Sequence, residues 1–258
     1  MALPMKTNPE LANQIKALIE KQLATNPDAE ITPAPNVLLM GMPGSGKTHA
    51  IRTLIDAGME VFIVFTEPGM DILSDLPQDK LHWHYVPPST GNWDDFLKQV
   101  TSASKLPWDA IQKQQDTNKK SYDSAVSLVK VFAEFICDRT GENFGNINDW
   151  GPNRALILDS LSGVNRAMLQ LVSGNAIGLS QPQWGGAMKT ELSLLDKLCF
   201  DTKCLFVLTA HLDRIVDEVN GGMVIQANAL GKKNAPEIPK NFSDVVLTIR
   251  KNGEFFWA

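Results

Sequence analysis

An eight-residue run near the start of the chain limits its fold more than any other feature. Residues 41–48, GMPGSGKT, match the pattern G-x-x-x-x-G-K-[ST] in full, and the apolar residues 36–40 precede them. A helix is expected over residues 48–57. A strand, a glycine-rich loop and a helix in this order form a P-loop, in which glycines allow successive N–H groups to turn toward one anion. The run therefore predicts a phosphate-binding loop at a helix N-terminus; the alternative is a chance glycine-rich turn.

Each residue type in this loop has a task in binding a nucleoside triphosphate. Lys47 carries a mobile positive charge for the β- and γ-phosphates, and the hydroxyl of Thr48 is a ligand for Mg²⁺. We therefore expect ATP and Mg²⁺ as the cofactors. The predicted nucleotide-binding residues are Gly41, Pro43, Gly44, Ser45, Gly46, Lys47, Thr48 and His49.

An acidic side chain at the end of a neighbouring buried strand would complete the Mg²⁺ site. In residues 155–159 an apolar run ends in Asp159, and Ser160 follows it. The predicted metal ligands are thus Thr48 and Asp159. The alternative is that Asp159 caps the next helix, and one side chain can do both.

Hydrolysis also needs a group that orients or deprotonates the attacking water. No glutamate follows Asp159 directly, so Glu67 is the candidate. It follows the predicted strand 61–66 and should project from the same sheet edge as the P-loop; the alternative is an exposed glutamate in a turn.

His211 follows the predicted strand 204–209 in the same way. A polar residue at that edge can sense the γ-phosphate, and the alternative is a histidine hydrogen-bonded at the edge of the core. The predicted catalytic residues are Lys47, Glu67, Asp159 and His211.

Predicted strands alternate with predicted helices, which is typical of an α/β fold with helices on both faces of a mostly parallel sheet. Asn252-Gly253 lies between two apolar stretches and predicts an antiparallel hairpin at the C-terminal edge. We expect a helix and linker over residues 1–35, and one P-loop domain over 36–258 with a helical insertion at about 90–139.

Composition excludes several classes of protein. No apolar run reaches the roughly 18 residues needed to span a bilayer, and the N-terminus lacks a secretory signal, so we expect no membrane association. The 3 cysteines fit a reducing cytoplasm better than a disulfide framework. The formal net charge of −5 gives no overall attraction to nucleic acid, so any DNA contact must be local.

Taken in order, the motifs resemble those of the RecA-like ATPases. More narrowly, the chain resembles a phage-encoded nucleotide-binding family whose members include single-strand-annealing recombination proteins. The resemblance covers roughly residues 36–257. The P-loop is the motif in it that is specific by itself, and the other segments support the resemblance mainly through their order along the chain. The segments that carry it are the P-loop, Glu67, Leu158 to Gly163, Thr209 to Arg214, Gly231-Lys232 with Pro239, and Phe242 to Leu247.

The resemblance implies a RecA-like core in which Glu67 polarises water, Asp159 holds Mg²⁺ and His211 links the nucleotide state to DNA. It implies that residues 173–186 and 212–230 are DNA-binding loops. Such proteins act on single-stranded DNA as rings or filaments, with ATP at the subunit boundary and a neighbour's basic residue in the site. Candidates for that residue are Lys232, Lys233 and Lys240.

Three functions fit these features. The first is an oligomeric ATPase acting on single-stranded DNA in phage recombination or replication, in the host cytoplasm. The second is an assembly protein that binds ATP to switch its contacts with protein partners, without DNA dependence. The third is a nucleotide kinase, which would need arginines converging on the transferred phosphate. The predicted DNA loops carry one basic residue, Arg214, and the arginines are not clustered.

Overall fold

A parallel sheet forms the centre of the fold, as the alternation of predicted strands and helices requires. The computed structural model describes residues 35–89, 92–111, 122–174, 176, 178–216 and 221–258. The predicted N-terminal helix and nearly all of its linker lie outside the described residues, as does the polar stretch 112–120 within the predicted insertion.

The strands of the described chain join in one mixed sheet of 8 strands, in the order β3-β2-β4-β5-β1-β7-β8, with β6 paired to β5. All pairs are parallel except β5–β6 and β7–β8, which are antiparallel. The predicted α/β fold with an antiparallel C-terminal hairpin is confirmed. The strands are β1 Asn36–Gly41, β2 Glu60–Phe65, β3 Leu81–Tyr85, β4 Arg154–Asp159, β5 Leu205–Val216, β6 Met223–Ala227, β7 Asp244–Lys251 and β8 Glu254–Trp257.

Helices cover both faces of this sheet, because successive strand residues point to opposite faces and both sets are apolar. In β1, Leu38 packs in one hydrophobic core and Leu39 in the other. Within the described ranges no helix is long and apolar enough to cross a bilayer. The helices are α1 Lys47–Ala50, α2 Arg52–Asp56, α3 Trp93–Ala103, α4 Trp108–Ile111, α5 Asp123–Ala133, α6 Leu161–Ser173, α7 Gln181–Asp201 and α8 Gly231–Asn234.

Strand β5 is longer than the sequence predicts. We expect this strand to end at Thr209, but it runs on to Val216. It pairs in parallel with β1 as far as His211 and then, from Leu212, forms an antiparallel hairpin with β6. At the predicted end, β5 changes its partner strand from β1 to β6 and does not stop. A break in the apolar sequence pattern looks the same in both cases.

The first predicted DNA-binding loop, residues 173–186, is shorter than expected, because residues 181–186 belong to helix α7; its contact with DNA stays a prediction. Helix α7 begins at Gln181, because Ser180 and Gln183 form a capping box and a proline occupies the first turn. Trp184 therefore lies in the first turns of a helix and is partly exposed.

The region predicted as a helical insertion has two unlike parts. Helix α5 buries Leu128, Val131 and Phe132 in the core and packs on α6. Helix α3 buries none of its side chains, and Trp93 and Leu97 on it are 84% and 65% exposed. Among the described residues of this region, therefore, those of the second half contribute to the core and those of the first half do not.

Candidate functional site

The P-loop connects the end of β1 at Gly41 to the start of α1 at Lys47. Gly44 and Gly46 have φ angles of 73° and 90°, in the left-handed region that glycine adopts without strain. Because α1 begins directly after Gly46, the free N–H groups of its first turn face the mouth of the loop. The backbone geometry is that of an anion nest.

Strand β7 fixes the loop from the side. Thr248 Oγ1 donates to Met40 O at 3.1 Å, so the hydroxyl of Ser45 is the donor in its 2.6 Å bond to Thr248 Oγ1. A Cβ at Gly41 would lie 1.9 Å from Thr248 Oγ1. Glycine is therefore required at the start of the loop by the close approach of β7.

The side chain of Lys47 is folded against the loop that it belongs to. Its Nζ donates to Gly41 O at 2.9 Å and to Met42 O at 3.2 Å, and it lies 3.4 Å from His211 Nδ1. Burial lowers the pKa of Lys47, and the negative charges of Asp159 and Glu67 oppose this effect. The ammonium thus stands between the P-loop and the two acidic residues.

Asp159, the last residue of β4, is held by two threonine hydroxyls. Thr48 Oγ1 donates to its Oδ2 at 2.7 Å and Thr209 Oγ1 to its Oδ1 at 2.6 Å. The Asp159 side chain is buried, so its orientation is fixed. Hydroxyl and carboxylate oxygens are the ligands that Mg²⁺ prefers. The pair of Thr48 and Asp159 therefore fits the predicted metal site.

Glu67 lies beyond the end of β2 and is held by the residue after Asp159. Ser160 Oγ donates to Glu67 Oε2 at 2.6 Å. Arg166 on α6 lies 3.6 Å from Oε1, and His211 Nε2 lies 3.8 Å from Oε2. Ser160 thus takes the position directly after Asp159, where a catalytic glutamate could otherwise lie. Its hydroxyl orients Glu67, which follows the neighbouring strand β2.

Thr66 fixes the relative position of Glu67 and Ser160. Its Oγ1 donates to Ser160 O at 3.0 Å and accepts from Ser160 N at 2.9 Å. A Cβ at Gly163 would lie 2.0 Å from Thr66 Oγ1, so α6 approaches β2 closely only because residue 163 is glycine. These contacts join the ends of β2 and β4 in a rigid unit.

His211 connects Lys47 with Glu67. The ammonium of Lys47 can only donate, so Nδ1 of His211 accepts from it, and Nε2 is the ring nitrogen that faces Glu67. The backbone oxygen of His211 accepts from Asn228 N at 2.8 Å, at the base of the β5–β6 hairpin. The histidine therefore lies between the P-loop and that hairpin.

This arrangement of a P-loop and strand-end acids agrees with a comparison against protein families. A model of the AAA domain family matches residues 34–254. The chain belongs to this family. No curated protein matches it. AAA domains are P-loop ATPases, so the chain is a nucleotide-binding protein of the ATPase class.

Not every predicted residue of this AAA domain lies in the cluster. The side chain of His49 has Arg52 and Asp75 as its charged neighbours, and burial, followed by the charge of Arg52, lowers its pKa. Lys232 and Lys233 lie on α8, and Lys240 pairs with Glu237 at 2.7 Å. Their predicted action on a neighbouring subunit stays a prediction.

The sequence did not assign a role to three residues that shape the site. Ser160 holds Glu67, Thr209 holds Asp159 and Thr248 holds Ser45. All three are hydroxyl residues at the sheet edge where the P-loop lies: Ser160 follows β4, and Thr209 and Thr248 lie within β5 and β7. The signal that marks them is a Ser or Thr that interrupts or follows an apolar strand at the edge where the P-loop lies.

Proposed function

We propose that this AAA domain hydrolyses ATP with Mg²⁺, and that Glu67 activates the attacking water. The observation that carries the proposal is the position of the Glu67 carboxylate. It stands on the same sheet edge as the P-loop, is oriented by Ser160 and is separated from Lys47 by His211. A carboxylate positioned in this way can accept a proton from the attacking water.

In this proposal the phosphates of ATP lie in the P-loop. Lys47 exchanges its two carbonyl partners for β- and γ-phosphate oxygens, and the buried ammonium then interacts with negative charge in a low-dielectric setting. Thr48 and Asp159 hold the Mg²⁺, which neutralises charge on the phosphate oxygens when bound. Thr209 keeps the Asp159 carboxylate directed at the metal.

His211 passes the nucleotide state to the β5–β6 hairpin. A change at the γ-phosphate alters the partners of Lys47 and Glu67, which are the two groups that His211 contacts. His211 is also the last β5 residue that pairs with β1, and the hairpin begins at the next residue. A rotation of this one side chain therefore acts at the base of the hairpin.

The surface of the β5–β6 hairpin bears on which partner it contacts, single-stranded DNA or another protein. The resemblance to RecA-like proteins favours single-stranded DNA and an oligomer, and Arg214 on the hairpin is the residue that supports a phosphate contact. Neutralising phosphates requires several Lys or Arg side chains. Arg214 is the one basic residue in 212–216 and 221–230, the described parts of the second predicted loop.

A second candidate follows from the surface of the same hairpin. Val216 is 70% exposed and Met223 is 62% exposed, and Val224 and Ile225 are also exposed. An apolar surface of this kind is typical of a protein contact. It favours an assembly ATPase whose hairpin contacts a protein partner.

The test is steady-state ATP hydrolysis at low salt with and without single-stranded DNA. Lys47→Ala is the control for turnover at this site and Arg214→Ala the control for the hairpin. If DNA stimulates the parent and the stimulation is lost in Arg214→Ala, the DNA function is supported. Turnover indifferent to DNA favours the protein partner, and normal hydrolysis by Lys47→Ala refutes the proposed site.

A further inference from the structure

The C-terminal hairpin extends beyond the strand that leads into the P-loop. The pairing of β1 with β7 ends where Gly41 meets Thr248. Strand β7 continues to Lys251, which is about 10 Å further at the usual rise of a strand. The chain then turns at Asn252-Gly253 and returns in β8. The hairpin thus forms a wall beside the phosphate-binding loop.

The inner face of this wall can be identified from the strand register. Thr248 contacts the loop through Ser45, and residues two apart on a strand share a face, so Arg250 lies on the same side. Arg250 pairs across the hairpin with Phe255, which places Phe255 on that side as well. A Cβ at Gly46 would lie 2.8 Å from Cδ1 of Phe255, so the ring lies directly against the loop.

Phe255 is not a residue of either hydrophobic core. Its side chain is half-buried, and the guanidinium carbon of Arg250 lies 5.5 Å from the centre of its ring. Residue 255 also lies just beyond the span 34–254 that the family model matches. An aromatic ring beside the loop, with a cation over it, suits a flat aromatic ligand.

We propose that Phe255, together with Arg250, is the platform on which the base of the bound nucleotide stacks. The P-loop encloses phosphates, so the ribose and base must lie outside it, and the inner face of the hairpin borders the loop at Gly46. A purine offers the larger flat ring, so the platform favours ATP over pyrimidine nucleotides. The inference rests on the proposed binding of ATP at Lys47.

The alternative role for Phe255 is to support the loop by packing on Gly46. The two roles differ for a ligand that has phosphates but no base. A platform for the base strengthens the binding of ATP and not that of inorganic tripolyphosphate, whereas a support for the loop strengthens the binding of both. Phe255→Leu keeps an apolar side chain against Gly46 and removes the aromatic ring, so it separates the roles.

The experiment measures equilibrium binding of Mg·ATP and of Mg·tripolyphosphate to the parent, Phe255→Leu and Phe256→Leu. Phe256 is the matched control, because it is adjacent on β8, 45% exposed and on the opposite face. We expect Phe255→Leu to bind Mg·ATP about tenfold more weakly, from the typical contribution of one base stacked on an aromatic side chain. Its affinity for tripolyphosphate should stay unchanged, and Phe256→Leu should match the parent for both ligands.

Equal loss of both ligands in Phe255→Leu would overturn the platform and show a support for the loop. Unchanged binding of Mg·ATP would overturn it as well. Because binding is measured and not turnover, both results leave the proposed hydrolysis intact. If the parent binds neither ligand, the proposed function fails and this inference fails with it.

A second measurement uses the ring as its own reporter. In Phe255→Trp the indole replaces the phenyl ring, and a stacked base should quench its fluorescence relative to the parent titrated in the same way. Mg·ATP should give the quench and Mg·tripolyphosphate should not. Quenching by both ligands, or by neither, contradicts stacking.

Discussion

Two carboxylates stand at the ends of neighbouring strands, and their surroundings differ. Phe65 at the end of β2 pairs with Asp159 at the end of β4, so Glu67 and Asp159 reach the same sheet edge. Asp159 is 9% exposed and both of its oxygens accept from threonine hydroxyls. Glu67 is more exposed, and it is held by one hydroxyl, that of Ser160.

This difference separates two kinds of chemistry. A carboxylate whose two oxygens are both fixed holds a cation at one position, and a proton transfer from water is not favoured there. In Glu67 one oxygen accepts from the Ser160 hydroxyl, and the other, 3.6 Å from Arg166, keeps lone pairs that can accept a proton. The comparison therefore assigns the metal to Asp159 and the water to Glu67, and each assignment can be tested separately.

The largest effect is expected from Asp159→Asn. The amide keeps the size of the side chain and one acceptor oxygen but loses the charge that attracts Mg²⁺. We expect hydrolysis to fall about 10³-fold, from the loss of several kcal/mol of charge stabilisation, and the Mg²⁺ requirement to rise. A titration of hydrolysis with Mg²⁺ measures both. An unchanged Mg²⁺ requirement would remove Asp159 from the metal site.

Glu67→Gln should separate hydrolysis from binding. The amide cannot take a proton from water, so we expect kcat to fall about 10²-fold or more. Because Glu67 makes no direct hydrogen bond to the P-loop or to the metal pair in the described structure, binding of Mg·ATP should stay close to that of the parent. Glu237→Gln, which removes an exposed carboxylate paired with Lys240, is the control. Parental turnover in Glu67→Gln would mean that the base lies elsewhere.

Ser160→Ala tests how the second carboxylate is oriented. It removes the 2.6 Å bond to Glu67 without touching the loop or the metal pair. Loss of a hydrogen bond to a charged group predicts a fall in kcat of about tenfold. The KM for ATP should not change, and Ser160→Thr, which keeps a hydroxyl, should recover part of the rate. If KM rises and kcat is unchanged, Ser160 has a structural role only.

The fold and the centre of the site could be predicted because their signals are local. A P-loop is a continuous run with fixed dihedral requirements, and Asp159 ends an apolar run that can hardly be anything but a buried strand. Glu67 follows from the same argument. The carboxyl ends of parallel strands meet at one edge, so strand order is not needed to place these side chains together.

The parts that could not be predicted depend on contacts distant in sequence. The bond between Ser45 and Thr248 joins residues on β7 and the loop, and it exists only because β7 lies beside β1. The continuation of β5 past Thr209 depends on β6 as a new partner. The overlap of α7 with the predicted loop 173–186 is a different kind of error, since the capping residues Ser180 and Gln183 are present in the sequence.

Thr209→Val gives the smallest expected effect and sharpens the comparison most. Valine matches threonine in shape, so it removes the 2.6 Å bond to Asp159 Oδ1 and leaves the buried strand packed as before. One lost hydrogen bond of about 1 kcal/mol predicts a Mg²⁺ requirement raised about fivefold. Saturating Mg²⁺ should restore the position of Asp159, so kcat of Thr209→Val at saturating Mg²⁺ should equal the parental value. The kcat of Ser160→Ala, in contrast, should stay low at any Mg²⁺ concentration. A lower kcat at saturating Mg²⁺ would show that fixing Asp159 also affects the water, and the division of labour between the two carboxylates would be incomplete.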